Sequence, residues 1–170
     1  MQNRVIATLL LIGLLLVGGC GYKFTGGGEL PKGVQTIFID LFENRSRDVD
    51  LETQLANDLT NEFILKRKKA LVAENKAEAI LTGTIVAVSS STISQTKQGA
   101  SVERRLRMVV NVELRNRQGE IIWQRKRIID NEEYLVGGSS SETDANRDEA
   151  LTVLTERMAE QIFNKLTDEF

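Results

Sequence analysis

Histidine is absent from the 170-residue chain, and cysteine, proline and tryptophan each occur only once. Without an imidazole, catalytic sites of the Ser-His-Asp and Cys-His kinds are excluded, and zinc sites lose one of their main ligands. A single cysteine can form neither an internal disulfide nor a redox-active Cys-x-x-Cys pair. What remains is carboxylate or lysine chemistry, a metal site built from oxygen ligands, or binding without catalysis.

The one cysteine, Cys20, closes an N-terminal targeting segment. Arg4 precedes an apolar run from Val5 to Val17, and two glycines separate this run from Cys20. Such a basic start, apolar run and small-residue end make a secretory signal, and the run is too short to span a bilayer. Small residues before a cysteine resemble the lipobox of bacterial lipoproteins. We therefore expect a lipoprotein signal peptide over residues 1–19 and a covalent lipid on Cys20. The alternative is an ordinary signal peptide that ends near a cysteine, or a buried unpaired thiol.

The segment after the cysteine predicts a tether followed by one domain. Residues 20–33 contain five glycines and the only proline, a composition typical of a flexible linker. Gly21, rather than an aspartate, follows the cysteine, which in lipoproteins of enterobacterial type resembles an outer-membrane address. We expect a lipidated N-terminus and tether over residues 20–33, a single domain over residues 34–170, and attachment to the outer membrane facing the periplasm.

Hydrophobic periodicity predicts a strand, a helix, three more strands and a final helix. Apolar residues at helical spacing indicate helices over 49–68 and 145–166, and buried or alternating runs indicate strands over 34–42, 80–94, 102–115 and 120–133. A polar turn is expected over residues 44–48 and a flexible loop over residues 137–141. Covering every apolar stripe then requires an α+β fold, a two-layer sandwich with a four-stranded mixed sheet and two helices packed on one face.

The third predicted strand has the clearest pattern in the chain. Even positions from Val102 to Leu114 are apolar, apart from Arg104, while the odd positions include Arg105, Arg107 and Arg115. Alternation with a period of two places one side of a strand in the core and the other in water. The odd-numbered arginines are therefore expected on the exposed face of the sheet.

Charge is distributed unevenly along the chain, although its sum is only −2. Nine cations and three acids lie between Lys97 and Arg127, whereas residues 130–170 contain eleven acids and three bases. We call residues 97–127 the basic hairpin. Two interpretations of it stay open: its arginines pair with acids on neighbouring strands, or they bind an anionic ligand. Phosphorylated lipid A and the core sugars of lipopolysaccharide suit an outer-membrane lipoprotein, which does not meet nucleic acid.

Catalysis has little support in the sequence. Asp40 with Glu43, or Asp48 with Asp50 and Glu52, could act as paired carboxylates or oxygen ligands. The second group lies at the start of a predicted helix, where the helix dipole already stabilises acids. We expect a protein that is not an enzyme and that has no metal and no cofactor other than the lipid on Cys20.

Three stretches of the sequence resemble the LptE family of lipopolysaccharide-assembly lipoproteins: residues 20–24 (Cys-Gly-Tyr-Lys-Phe), 30–39 and 42–46 (Phe-Glu-Asn-Arg-Ser). This resemblance implies an α/β sandwich that plugs the lumen of an LptD-type β-barrel, helps that barrel to assemble and binds lipopolysaccharide. In the family, basic side chains on the sheet and its connecting loop contact the lipid. By their environment, the nearest matches in this chain are Lys97, Arg105, Arg107 and Arg115.

Two other functions remain compatible with the sequence. A lipoprotein regulator that docks on a peptidoglycan synthase would also need a tether and a small α/β domain. A carboxylate-dependent hydrolase of cell-wall glycans would need one of the acid groups named above.

Overall fold

The computed structural model describes residues 29–95, 97, 99 and 101–167. The predicted signal peptide, Cys20 and most of the predicted tether lie outside these residues. Within the described part, the elements follow in the order β1 (Ile37–Ile39), β2 (Glu43–Asn44), α1 (Leu51–Arg67), β3 (Ala79–Gln95), β4 (Ser101–Asn116), β5 (Ile121–Leu135) and α2 (Ser140–Thr167).

The five strands form one mixed sheet. Its order is β1–β3–β4–β5, and β2 pairs with β3 farther along the strand than β1 does. β1 and β2 run parallel to β3, whereas β3, β4 and β5 are antiparallel neighbours. The long β3–β4–β5 meander is therefore the main surface of the sheet, and β1 and β2 cover only the first half of one edge.

Both helices pack on the same face of the sheet, as the sequence predicts. Two contacts show that the helices run in the same direction. Asp48, just before α1, bonds Arg147 near the start of α2, and Phe63 packs against Phe163 near the ends of both helices. The two phenylalanine rings pack edge to face, with centroids 4.8 Å apart and planes inclined by 75°. The predicted α+β two-layer sandwich is confirmed.

One hydrophobic core fills the space between the layers. The even positions of β4 from Leu106 to Leu114 face the helices and are buried, as the alternation predicts. Each fully buried aliphatic side chain of this size contributes about 1.5–3 kcal/mol of transfer free energy. The helices supply the other half of the core at 3.6-residue spacing, through Leu51, Leu55, Leu59, Phe63, Leu151, Leu154, Met158, Ile162 and Leu166.

The first predicted strand, residues 34–42, is divided in the structure. Only Ile37–Ile39 and Glu43–Asn44 pair with β3. The Asp40 N–H still donates to the Leu81 carbonyl of β3 at 2.9 Å, and the next N–H, that of Leu41, donates to Asp40 Oδ1 at 2.8 Å where the pairing ends. The Phe42 ring then turns into the core against Gly83, where a β-carbon would lie only 2.5 Å from Phe42 Cε1. Asn44 consequently belongs to β2 and not to the predicted turn.

The last helix begins at Ser140, five residues earlier than the periodicity predicts. Ser139 Oγ accepts the Glu142 N–H at 3.2 Å, and the Glu142 carboxylate accepts the Gly138 N–H at 2.8 Å. These reciprocal bonds form a variant of the capping box, which satisfies backbone donors that a helix start would otherwise leave free. The end of the predicted 137–141 loop is therefore the first turn of α2.

The two ends of the sandwich differ in what they carry. At the entry end, where the chain joins the domain, Gln35 lies beside residues 66–70 at the end of α1, and Arg117 bonds the carbonyls of Asn75 and Ala77. Leu30 and Pro31, from the predicted tether, are already buried there. The opposite end of the sandwich holds the connection between β3 and β4, and we call it the hairpin end.

Candidate functional site

The exposed face of the β3–β4–β5 meander holds most of the residues that the sequence singles out. Odd positions of β4 project away from the helices, and Arg105 and Arg107 are exposed there. Arg105 lies between Ser91 of β3 and Glu133 of β5, and Arg107 lies between Ser89 and Asn131. The face therefore presents arginines flanked on the β3 side by small hydroxyl side chains.

Arg105 is paired across the strands. Its Nη2 lies 2.5 Å from Glu133 Oε1, and its Nε donates to the same oxygen at 3.1 Å. Both side chains are nearly half exposed, so the pair contributes little to stability. This contact agrees with the first interpretation of the basic hairpin, in which an arginine is neutralised by an acid of the neighbouring strand.

Arg107 differs from Arg105 although it lies only two residues away. Within the described part of the chain its side chain makes no hydrogen bond and no ion pair, and the residues opposite it, Ser89 and Asn131, are uncharged. Its guanidinium has five donors in a planar fork that suits phosphate or carboxylate oxygens. The donors face solvent without a described partner, which agrees with the second interpretation, an anion-binding role.

Arg115 and Lys97 lie away from the Arg105–Arg107 pair. Arg115 bonds Glu113 Oε1 at 2.7 Å and the Gly119 carbonyl at 3.0 Å, so it braces the β4–β5 turn at the entry end. It is eight residues from Arg107, or about 27 Å along a strand. Lys97 is exposed in the β3–β4 connection at the hairpin end. The structure thus places Arg105 and Arg107 side by side, with Lys97 at their end of the sheet and Arg115 at the other.

A polar groove crosses the middle of the exposed face and includes one acid that the sequence offers for catalysis, Glu43. Its volume is about 460 Å³, and one wall comes from the segment between β1 and β2. Hydroxyl, amide and carboxylate side chains line it, together with two cations at the rim: Thr82, Thr84, Asn111, Glu113, Gln124, Glu43, Arg45 and Lys126. These groups offer several donors and acceptors at once, which suits a ligand with many hydroxyl or phosphate groups.

Strand irregularities shape this groove. β5 shifts register between the partners of Val110 and Val112, and Arg127 has a φ of +59° at that point. The Arg127 N–H donates to Asn111 Oδ1 at 2.8 Å, which holds the Asn111 side chain toward β5. A β-bulge of this kind redirects side chains locally. The run Gln124–Arg127 carries no signal for a bulge beyond its break in alternation.

An ion pair forms the outer wall of the groove. Arg45 Nη2 lies 2.8 Å from Glu43 Oε2, which also accepts a bond from Thr84 Oγ1 at 3.3 Å. The hydrogen bond from Arg45 lowers the pKa of the Glu43 carboxyl below its ordinary value. Glu43 is therefore ionised at neutral pH and unsuited to donate a proton, in contrast to a catalytic acid.

Three of the other acids that the sequence offers for catalysis, Asp40, Asp48 and Glu52, have structural contacts. Asp48 Oδ1 lies 2.5 Å from Arg147 Nη2, which joins the start of α1 to α2. Glu52 Oε2 accepts a bond from Asn44 Nδ2 at 2.7 Å, and Asp40 Oδ1 accepts the N–H of Leu41.

No group of three or more acidic or cysteine side chains that could hold a metal occurs in the described residues. Across the same residues, no helix has the length and apolar character needed to cross a membrane.

Comparison with known families gives a match over most of the chain. The family model of LptE, described as lipopolysaccharide-assembly, matches residues 34–166. No curated protein sequence matches the chain significantly.

Several solved lipoprotein structures share the fold. Lipoprotein B from Nitrosomonas europaea superposes with a TM-score of 0.59 at 16% identity, over 86% of this chain and 90% of that protein. Rare lipoprotein B from Shewanella oneidensis gives a TM-score of 0.56 at 16% identity, over 76% and 95% respectively. A minor lipoprotein from Acinetobacter baumannii gives 0.51 at 19% identity, over 79% and 92%. At these identities the likeness establishes the fold alone.

Proposed function

Because the chain belongs to the LptE family of lipopolysaccharide-assembly lipoproteins, we propose that it plugs an LptD-type β-barrel in the outer membrane and binds lipopolysaccharide on its exposed sheet face. In this role the protein is not an enzyme: it positions a barrel and a lipid without making or breaking a bond. It needs no metal and no cofactor besides the lipid on Cys20.

The observation that carries lipopolysaccharide binding is the unpartnered guanidinium of Arg107. An exposed arginine without a described acidic partner, beside serines and an asparagine, offers charge-assisted hydrogen bonds to a phosphate oxygen. Arg105 can join it by exchanging Glu133 for a ligand phosphate, since the exposed pair between them is weak. The polar groove farther along the same face, which starts at Asn111, offers hydroxyl and amide partners for sugars. Lys97 extends the positive charge toward the hairpin end.

The proposed plug follows from the shape and polarity of the domain. A barrel lumen that holds a protein plug is polar. The sheet presents a long polar face. One continuous core joins the two layers into a rigid domain that can fill a lumen without rearranging. Arg115 belongs to this polar face, but its contacts with Glu113 and Gly119 favour a bracing role over ligand binding.

Membrane attachment would come from Cys20. Acylation of the thiol and the new N-terminus supplies several hydrocarbon chains, enough for stable anchoring without a spanning helix. Replacement of Cys20 by Ser should leave a soluble or uncleaved form. Cell fractionation followed by immunoblotting checks this, and an unchanged outer-membrane fraction of the variant would refute the anchor.

Co-purification of the native lipidated chain from detergent-solubilised membranes tests the proposed partner. We expect recovery of a large β-barrel protein, identified by mass spectrometry, together with bound lipopolysaccharide. The matched control is the same purification from cells that lack the affinity tag. Recovery of a cell-wall synthase without any β-barrel would overturn the proposal and support the regulator instead.

A further inference from the structure

A second exposed patch lies at the entry end, away from the sheet face. It consists of Ile64 and Leu65 in the last turn of α1 and of Lys68 and Lys69 directly after that helix. Leu65 is 79% exposed and Ile64 44%, so two large aliphatic side chains lie next to each other in solvent. We define these four residues as the entry-end patch.

The cations of this patch are not used within the described part of the molecule. Lys66, just before them, pairs with Glu62 at 2.6 Å and lies 5.1 Å from the centre of the Phe163 ring. The side chains of Lys68 and Lys69, by contrast, make no hydrogen bond or ion pair with any described residue, and both are exposed. A favourable interaction with the helix dipole accounts for basic residues at a helix C-terminus, but it does not account for two exposed aliphatic side chains beside them.

The patch lies near the point where the N-terminal segment joins the domain. Gln35 and Thr36, a few residues after the chain enters the domain, line the same cavity of about 430 Å³ as residues 66–70. Leu30 is buried, so the domain is fixed to the chain at that point. Glu29 is nine residues beyond Cys20, so the extended chain between them can span at most about 32 Å. A lipid on Cys20 would therefore hold the entry end close to the bilayer surface.

We propose that the entry-end patch rests on the anionic phospholipid surface of the membrane that holds the anchor. Leu65 and Ile64 enter the headgroup region, and Lys68 and Lys69 contact phosphates, so that a lipid chain and a basic patch act as two attachment signals. This inference rests on the proposed acylation of Cys20. Because the patch is at one end of the domain, contact there leaves the sheet face available to a barrel and to lipopolysaccharide.

Site-directed spin labelling of the full lipidated protein in vesicles tests the docking. Leu65→Cys places the label in the patch, and Thr53→Cys is the matched control, exposed on the same helix about 18 Å away. The vesicles contain phosphatidylcholine alone or with phosphatidylglycerol. In the anionic vesicles we expect the Leu65 label to gain collisions with oxygen and lose collisions with a water-soluble nickel chelate, whereas the Thr53 label stays in water.

Charge variants then test the role of the lysines. Lys68→Gln with Lys69→Gln should abolish the shift of the Leu65 label, and Lys68→Arg with Lys69→Arg should keep it. Melting temperatures measured in detergent verify that each variant is folded. Equal accessibility of the two labels in both vesicle types would overturn the proposal, and so would a shift that persists after both lysines are neutralised.

Thiol labelling of the parent protein distinguishes an error in this proposal from an error in the proposed anchor. Cys20 is the only natural cysteine, and an acylated thiol cannot react with the label. The parent protein should therefore take up no label. If it does take up label, the proposed anchor is wrong, whereas an unlabelled parent with an unshifted Leu65 label contradicts the docking patch alone.

Discussion

Arg107→Ala is expected to weaken lipopolysaccharide binding about tenfold without changing stability. A hydrogen bond to a charged group contributes about 1.5–3 kcal/mol, and the lower value applies here because Arg107 is exposed. A loss of about 1.4 kcal/mol corresponds to a tenfold change in Kd. Since the side chain has no described partner in the folded protein, its removal should alter the free energy of unfolding by less than about 0.5 kcal/mol.

Titration of fluorescent lipopolysaccharide below its critical aggregation concentration measures the affinity, and thermal unfolding measures the stability. Arg115→Ala is the matched control, because this arginine lies on the same strand and the same face but is bonded to Glu113 and Gly119. It should cost some stability and little affinity. Unchanged binding by Arg107→Ala, or an equal loss with Arg115→Ala, would refute the reasoning from the unpartnered guanidinium.

Three further outcomes follow from individual contacts. Glu133→Gln frees Arg105 from an exposed pair of about 0.2–1 kcal/mol and should tighten lipopolysaccharide binding up to about fivefold in the same titration; weaker binding would contradict competition by that acid. Gly83→Ala should destabilise the domain by about 1–3 kcal/mol in urea unfolding, because its β-carbon would lie 2.5 Å from the Phe42 ring; unchanged stability would contradict that close packing. Asp58→Asn should stabilise the domain by about 1 kcal/mol at neutral pH, since Asp58 Oδ2 is buried without a described hydrogen-bond partner.

The sign of the Asp58 effect depends on pH. Burial between α1 and α2 raises the pKa of Asp58 above its ordinary value, while a bond from Thr155 lowers it and the charge of Glu156 raises it. The folded protein therefore holds the proton more tightly than the unfolded chain does, and ionisation of Asp58 opposes folding above the raised pKa. The advantage of Asp58→Asn over the parent should be largest at neutral pH and disappear below the ordinary pKa of an aspartate. A constant difference across this range would contradict the burial argument.

Much of the fold was predictable because its elements have strong local patterns. The period-two alternation of β4 and the 3.6-residue spacing in both helices mark elements that bury one face and expose the other. Burial of the apolar face is the main driving force of folding. The predictions failed at element boundaries. The first strand divides where the Phe42 ring turns into the core against Gly83, and the capping bonds of Ser139 and Glu142 start α2 early; the Ser-x-x-Glu spacing was a readable signal for the second.

The candidate site was predictable only in part. The alternation placed Arg105, Arg107 and Arg115 on one face, but their different environments depend on residues distant in sequence. Glu133, 28 residues beyond Arg105, neutralises it only because β5 pairs with β4 in one particular register. The polar groove requires the Arg127 bulge and the segment between β1 and β2 to meet across three strands.

By itself the sequence determined which faces are buried, the order of the elements, the excess of cations in the hairpin and the place of the single cysteine after an apolar run. These properties are local, since each is set by residue type and short-range spacing. Tertiary structure alone decided that Arg107 has no described partner while Arg105 has one, that Arg115 braces a turn, and that Lys68 and Lys69 lie beside the entering chain. Such distinctions depend on strand register and helix packing, in which a shift of one residue would exchange every partner.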